Sequence, residues 1–258
     1  MIQAVLALII LGILYRRMIQ REIPGPVSGP QAVAPVLLGI VSTPLSFVLF
    51  LGIAIALKRG AGVTLTDLPP VAGSLCSAFF GAGLPEEVTK LCMLLLFIRI
   101  FRPKIRNVYE YILAGAGVGF GFTLFEEFLY GSGALLSVRL ALLAAHMFLN
   151  MIMGKHLGLA RYKRLTGRGS AGKEVMAAIL IPMLLHTIYD ACTTMNMFLS
   201  SGDDTLVILG MAAGIAAYII MFAAQILILV GFRKDTDRYC SMSLLPQETG
   251  DNSEINID

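Results

Sequence analysis

Residues 84–101 read Leu84-Pro85-Glu86-Glu87-Val88-Thr89-Lys90-Leu91-Cys92-Met93-Leu94-Leu95-Leu96-Phe97-Ile98-Arg99-Ile100-Phe101. Two carboxylates and an ammonium stand in a run otherwise apolar enough to lie in lipid. An ionisable side chain inside a transmembrane helix costs roughly 3 kcal/mol or more, so it faces the interior of a bundle or a wet cavity. The stretch therefore predicts an all-α, polytopic membrane bundle with a polar centre, provided the rest of the chain is equally apolar.

It is. Of 258 residues, 57% are hydrophobic and only 14% charged, with a mean hydropathy of +0.79, where soluble domains run near a quarter charged. One soluble core could not hide that much apolar surface, so the excess must face lipid. Crossing a hydrocarbon core takes about 20 apolar residues, and seven runs qualify: about 1–15, 33–57, 71–98, 108–130, 136–160, 174–197 and 205–232. In the third, Pro69-Pro70 marks the start, and Gly81-Ala82-Gly83-Leu84-Pro85 predicts a kink or a restart. Residues 1–232 thus form the membrane domain, with the polar residues concentrated in 84–190. Residues 233–258, with Glu248, Asp251, Glu254 and Asp258, read as a disordered cytoplasmic tail. Cys76, Cys92, Cys192 and Cys240 show neither disulfide nor thiolate-zinc spacing. The net charge of +3 is scattered through short loops, which excludes a nucleic-acid surface.

Those loops set the orientation. The first apolar run is followed, not preceded, by Arg16, Arg17 and Arg21, as in an uncleaved first span with its N-terminus outside. Arg99–Arg106, Arg161–Lys173 and Arg233–Arg238 then fall on the same side, which collects fifteen of the twenty Lys and Arg. The other side has Lys58, Arg59 and Arg139. The positive-inside rule makes the C-terminus cytoplasmic.

Depth shows whether the intramembrane polar residues can meet. Counted from the inner end of each span, Glu86, Glu126, His146 and His186 all lie roughly 20–28 Å in, at about 1.5 Å per residue. Four helices thus bring acids or imidazoles to one layer, slightly outward of the midplane. His146 and Asn150, His186 and Asp190, and Glu86 and Lys90 are i,i+4 pairs that share a face. Asn150 reads equally as support for a site or as a polar contact between helices, and Glu127 as part of the site or of a vestibule. Glu86 and Glu87 point about 100° apart, and Glu86 is the expected central carboxylate. Gly115, Gly117, Gly119 and Gly121 form two overlapping GxxxG faces, which predict close approach by a neighbouring helix.

The blocks Glu86-Glu87-x-x-Lys90, Phe122-x-x-x-Glu126 with Glu127 and Tyr130, intramembrane His146, and His186-x-x-x-Asp190 stand in an order that resembles the PrsW family of intramembrane proteases. That family is related to the CAAX prenyl endopeptidase and bacteriocin-immunity group. The matched region runs from about Leu84 to Asp190. The resemblance implies an integral protein of a prokaryotic cytoplasmic membrane that hydrolyses a peptide bond of a single-span membrane protein, such as a membrane-anchored anti-sigma factor. It carries over Glu86, Glu87, Glu126, His146, His186 and Asp190 as catalytic candidates, with Lys90 in support; Asn150 is a supporting candidate by its spacing from His146 alone. Where this chain has Glu127 the family's pattern carries Asn, so a negative charge is added beside the site.

The chemistry needs an activated water and a donor for the oxyanion. In one version zinc, held by Glu126, His146 and His186, supplies both. In the other Glu86 is the base and an imidazole the donor. There is no HExxH, so zincin geometry is not expected. Two non-proteolytic functions compete. One is a scaffold akin to the seven-span subunit of gamma-secretase, which gives little reason to bury so many carboxylates. The other is a proton-coupled transporter, for which the sequence lacks matching half-repeats.

Overall fold

A computed structural model of the chain describes residues 2–62, 64–130 and 141–245, and the regular elements among them are all helical. Arg139, the expected start of the fifth span, the Tyr130 side chain and the acidic tail beyond residue 245 lie outside the described residues. The helices are α1 (Ile2–Gln20), α2 (Gly29–Ala56), α3 (Pro70–Ala78), α4 (Leu84–Phe101), α5 (Val108–Tyr130), α6 (Ala145–Thr166), α7 (Ala171–Cys192) and α8 (Asp204–Ser241). Among the described residues, five segments are long and apolar enough to cross a membrane: Ile2–Gln20, Gly29–Ala61, Val108–Leu129, Ala171–Ser200 and Asp204–Ser241. The chain is an integral membrane bundle. Large apolar side chains such as Val48, Ile219 and Leu227 are exposed on its outside, where lipid rather than water covers them.

Helix α5 is the centre of the bundle. In its most apolar window 72% of residues are buried, against 17–39% in the other four apolar segments. The glycine pattern explains this. Gly115 and Gly119 face α6, and Gly117 and Gly121 face α2. A Cβ on Gly119 would lie 2.4 Å from the His146 carbonyl oxygen, and one on Gly121 would lie 1.9 Å from that of Val36. Backbone therefore touches backbone on both sides, a packing that small residues permit in lipid. The sequence predicts one close neighbour for this helix; the structure places one on each face.

The expected break in the third span is a π-turn, Phe79–Gly83, joining α3 to α4. Pro70 opens α3 and Pro85 sits in the first turn of α4, where a missing N–H costs nothing. Helix α2 carries Pro35 and Pro44 inside and ends in a second π-turn, Leu57–Ala61.

Helix α8 departs from expectation. It continues through Ser241, where the sequence predicts a tail from residue 233. Thr236, Tyr239 and Cys240 are buried on its inner face. Beyond it the chain hooks onto the start of α5: Leu244 N–H donates to the Arg106 carbonyl at 2.7 Å and Val108 N–H to that of Met242 at 3.2 Å. Residues 233–245 are thus packed structure, because contacts with the 106–108 turn supply partners that composition cannot reveal.

The same end holds a buried polar knot. Glu22 accepts from Asn107 Nδ2 at 2.7 Å, Arg106 reaches the Gly25 carbonyl at 2.7 Å, and Arg106 Nε bonds Glu110 at 2.5 Å. Burial pushes the Glu22 carboxyl up to about 7, against the bond from Asn107.

Two outcomes follow from this packing. Gly121→Val should push α2 off α5 and destabilise the bundle by about 1–3 kcal/mol, read as an earlier thermal transition in detergent. For Glu22 the neutral form is the one the fold favours. Its contribution is therefore complete below the ordinary carboxyl value near 4.5 and is lost as pH rises through about 7. Glu22→Gln should flatten the pH dependence of melting across that window, and an unchanged profile would refute the assignment.

Candidate active site

Four helices converge on the polar residues. Helix α4 brings Glu86, Glu87 and Lys90, α5 brings Phe122 and Glu126, α6 brings His146, and α7 brings His186 and Asp190. Their side chains form one connected network.

Lys90 is its hub. The residue is fully buried. Its Nζ lies 2.8 Å from Glu87 Oε1, 3.2 Å from Glu86 Oε2 and 3.0 Å from His146 Nδ1. The Phe122 ring lies beneath it, 3.8 Å from Nζ to the centroid, so every direction around the ammonium is occupied by an anion, a lone pair or a π face. An ammonium only donates. His146 Nδ1 must therefore accept, which places that ring's proton on Nε2, facing Glu126 Oε2 at 2.9 Å.

The second imidazole is held the other way round. His186 Nδ1 lies 2.8 Å from Glu87 Oε1. Its Nε2 turns toward Asp190 Oδ2 at 3.2 Å and Glu86 Oε2 at 3.8 Å. The two imidazole rings are 5.1 Å apart, edge to face. Thr194, one turn beyond Asp190, donates to its Oδ1 at 3.0 Å.

The two neighbouring glutamates separate as their 100° offset requires. The Glu87 side chain is 1% exposed and serves Lys90 and His186 from behind; that of Glu86 is 21% exposed and faces open space. That space is a cavity of ≈ 890 Å³ whose floor includes Glu86, Glu126, Glu127, His146, His186 and Asp190. Asn150 donates to the His146 main-chain carbonyl at 3.0 Å. It braces the α6 backbone and does not touch the imidazole.

Some cavity residues carry no mark in the sequence. Thr43 and Ser46 of α2 line the wall, and Thr43 Oγ1 reaches the Phe122 carbonyl at 3.5 Å. They sit in a span legible only as hydrophobic. Thr194 was in principle visible, since 186, 190 and 194 continue one i,i+4 row.

A family model described as PrsW family intramembrane metalloprotease matches residues 32–228. The chain belongs to this family. It is 32% identical to Protease PrsW of Bacillus subtilis (strain 168) over 126 residues, which is 47% of this chain and 56% of the relative. It is also 31% identical to Protease PrsW of Halalkalibacterium halodurans over 124 residues, or 46% and 55%. The chain spans about half the length of the curated relatives it matches. No solved structure gives a significant match.

The description of the PrsW family names a metal, and the donor set here can be tested against one. One ligand atom each from Glu86, His146 and His186 lie within 4.8 Å of one another. Glu87 accepts from the far nitrogen of His186, the outer-carboxylate arrangement that orients metal-binding imidazoles. Two imidazoles and a carboxylate suit zinc or a similar divalent ion. The set fits, with His146 giving up one of its two present bonds to join it. This converging trio has Glu86 where the sequence predicts Glu126, which lies one bond further out, on His146.

The network makes a prediction of its own. Lys90→Met leaves the buried Glu87 and the partly exposed Glu86 without their cation and should destabilise the fold by about 3–5 kcal/mol. Adding Glu87→Gln should restore part of that loss in thermal melts. If the double variant is less stable than Lys90→Met alone, the charge balance described here is wrong.

Proposed function

We propose that this chain is an intramembrane endopeptidase that hydrolyses a peptide bond of a membrane-anchored, single-span protein at the Glu/His network. The observation that carries the proposal is the cavity of ≈ 890 Å³ with two imidazoles and several carboxylates on its floor. Behind these groups Lys90 is fully buried, with the Phe122 ring against it.

Each residue has work to do in that reaction. Glu86 faces the cavity and can take the proton of an attacking water. Glu87 stays behind the site, fixing the His186 ring and sharing Lys90. The His146 Nε2–H, now on Glu126, is positioned to donate to an oxyanion when a carbonyl replaces that carboxylate. Glu86, now carrying the proton taken from water, can then pass it to the leaving amine. Lys90 holds a fixed positive charge beneath all of these, so that negative charge developing above it is met by a preorganised partner. A zinc ion held by Glu86, His146 and His186 would lower the pKa of a bound water and polarise the scissile carbonyl.

Membership of the family supports proteolysis, and the bacterial relatives support a cytoplasmic membrane location. The distribution of fifteen basic residues on one side supports an inner C-terminus.

Purified protein in liposomes should cleave a single-span reporter. Glu86→Ala, Glu126→Ala and His186→Ala should each reduce the rate by about 10²-fold or more while the variants remain folded. If all three cleave as the parent does, the proposal fails. Stripping with a chelator decides the metal question. Activity lost with stoichiometric zinc and restored by it supports the metal version, and full activity in metal-free protein supports Glu86 alone as base.

A further inference from the structure

The cavity does not end at the catalytic floor. One face of α2 and the π-turn that closes it form its wall, through Thr43, Ser46, Phe50, Ala54 and Lys58, a row of three- and four-residue steps. Thr43 stands at the depth of the floor, its hydroxyl on the main chain of Phe122. Lys58 stands at the other end, exposed, in the π-turn Leu57–Ala61 that closes α2. Fifteen residues separate the two, or about 22 Å along a helix. The first turn of α2 lies against the α4–α5 connection, with Gln31 Nε2 on the Lys104 carbonyl at 3.4 Å. The cavity mouth therefore opens on the membrane face opposite that basic connection.

The charge along this path is graded. The floor presents Glu86, Glu126, Glu127 and Asp190, and Lys58 is the one Lys or Arg among the described lining residues. A negative side chain on an incoming peptide is repelled from the floor and attracted at the mouth, so it can rest in only one register.

We propose that Lys58 determines specificity by holding a carboxylate side chain of the substrate at the cavity mouth. An extended peptide advances about 3.3 Å per residue, so the acidic residue falls about six or seven residues from the scissile bond. This assignment rests on the protease function proposed above.

The test uses full-length protein in liposomes with single-span reporters whose juxtamembrane segment is neutral apart from one Asp, moved one residue at a time. The cut is mapped by mass spectrometry. Turnover should peak with Asp about six or seven residues from the cut, about three- to tenfold above the Asn control. Lys58→Glu should erase that peak and prefer Lys at the same place, and Lys58→Gln should flatten the profile. Arg59→Glu, a neighbouring charge outside the cavity lining, should leave it intact. A flat profile in the parent, or a profile unchanged in Lys58→Glu, overturns the assignment while leaving the protease intact. An equal response to Arg59→Glu also overturns it, since a general surface field would then explain the preference. Failure of the parent to cleave any reporter removes the protease function and this assignment together.

Discussion

The close contact of backbones along α5 is the constraint on which the rest of the structure depends. In lipid there is no hydrophobic gain from bringing two apolar helices together, so association relies on dispersion and short polar contacts. Removing side chains from both faces of α5 lets α2 and α6 approach until main-chain atoms touch. The approach is not uniform in its effect: Gly119 meets the carbonyl of His146 itself. A residue that allows close packing is therefore also one that sets the height of an imidazole of the candidate site. Stability and site geometry share the same few atoms.

Electrostatics supplies the second constraint. Carboxylates from three helices, two imidazoles and one ammonium share a region from which bulk water is largely shut out. Such a group survives only if nearly every donor finds an acceptor. Lys90 makes this possible by answering α4 and α6 together. Its position also assigns the ring proton of His146, since a donor on Nδ1 leaves Nε2 as the only place for it. The same sequence motif thus contributes a base candidate, its brace and the cation that orients a residue on a different helix.

Much of this was legible in the sequence, and the physical reason is specific. Charges in lipid are expensive, so Glu86, Glu126, His146 and His186 announce a centre, and counting residues from basic loops gives its depth. The two GxxxG faces of α5 were visible for the same reason, because glycine in a membrane helix marks approach. What could not be seen were the contacts that join distant segments. Arg233, Lys234 and Asp235 look like the end of a span, yet α8 runs on because Thr236, Tyr239 and Cys240 find a surface at the start of α5. Thr43 and Ser46 are ordinary small residues until α2 is laid beside Phe122. Lys90 to His146 spans 56 positions, and no periodicity encodes it.

The π-turn at Phe79–Gly83 has a consequence of angle rather than of chemistry. It accommodates one more residue than an ordinary helical turn, and each residue of a helix is worth about 100° of rotation. The division of labour between the two glutamates is therefore an indexing result, fixed by the number of residues upstream. Shortening that turn by a single position would rotate α4 about its axis as a camshaft is retimed. It would swing Glu86 away from the cavity without altering any residue of the Glu-Glu-x-x-Lys block.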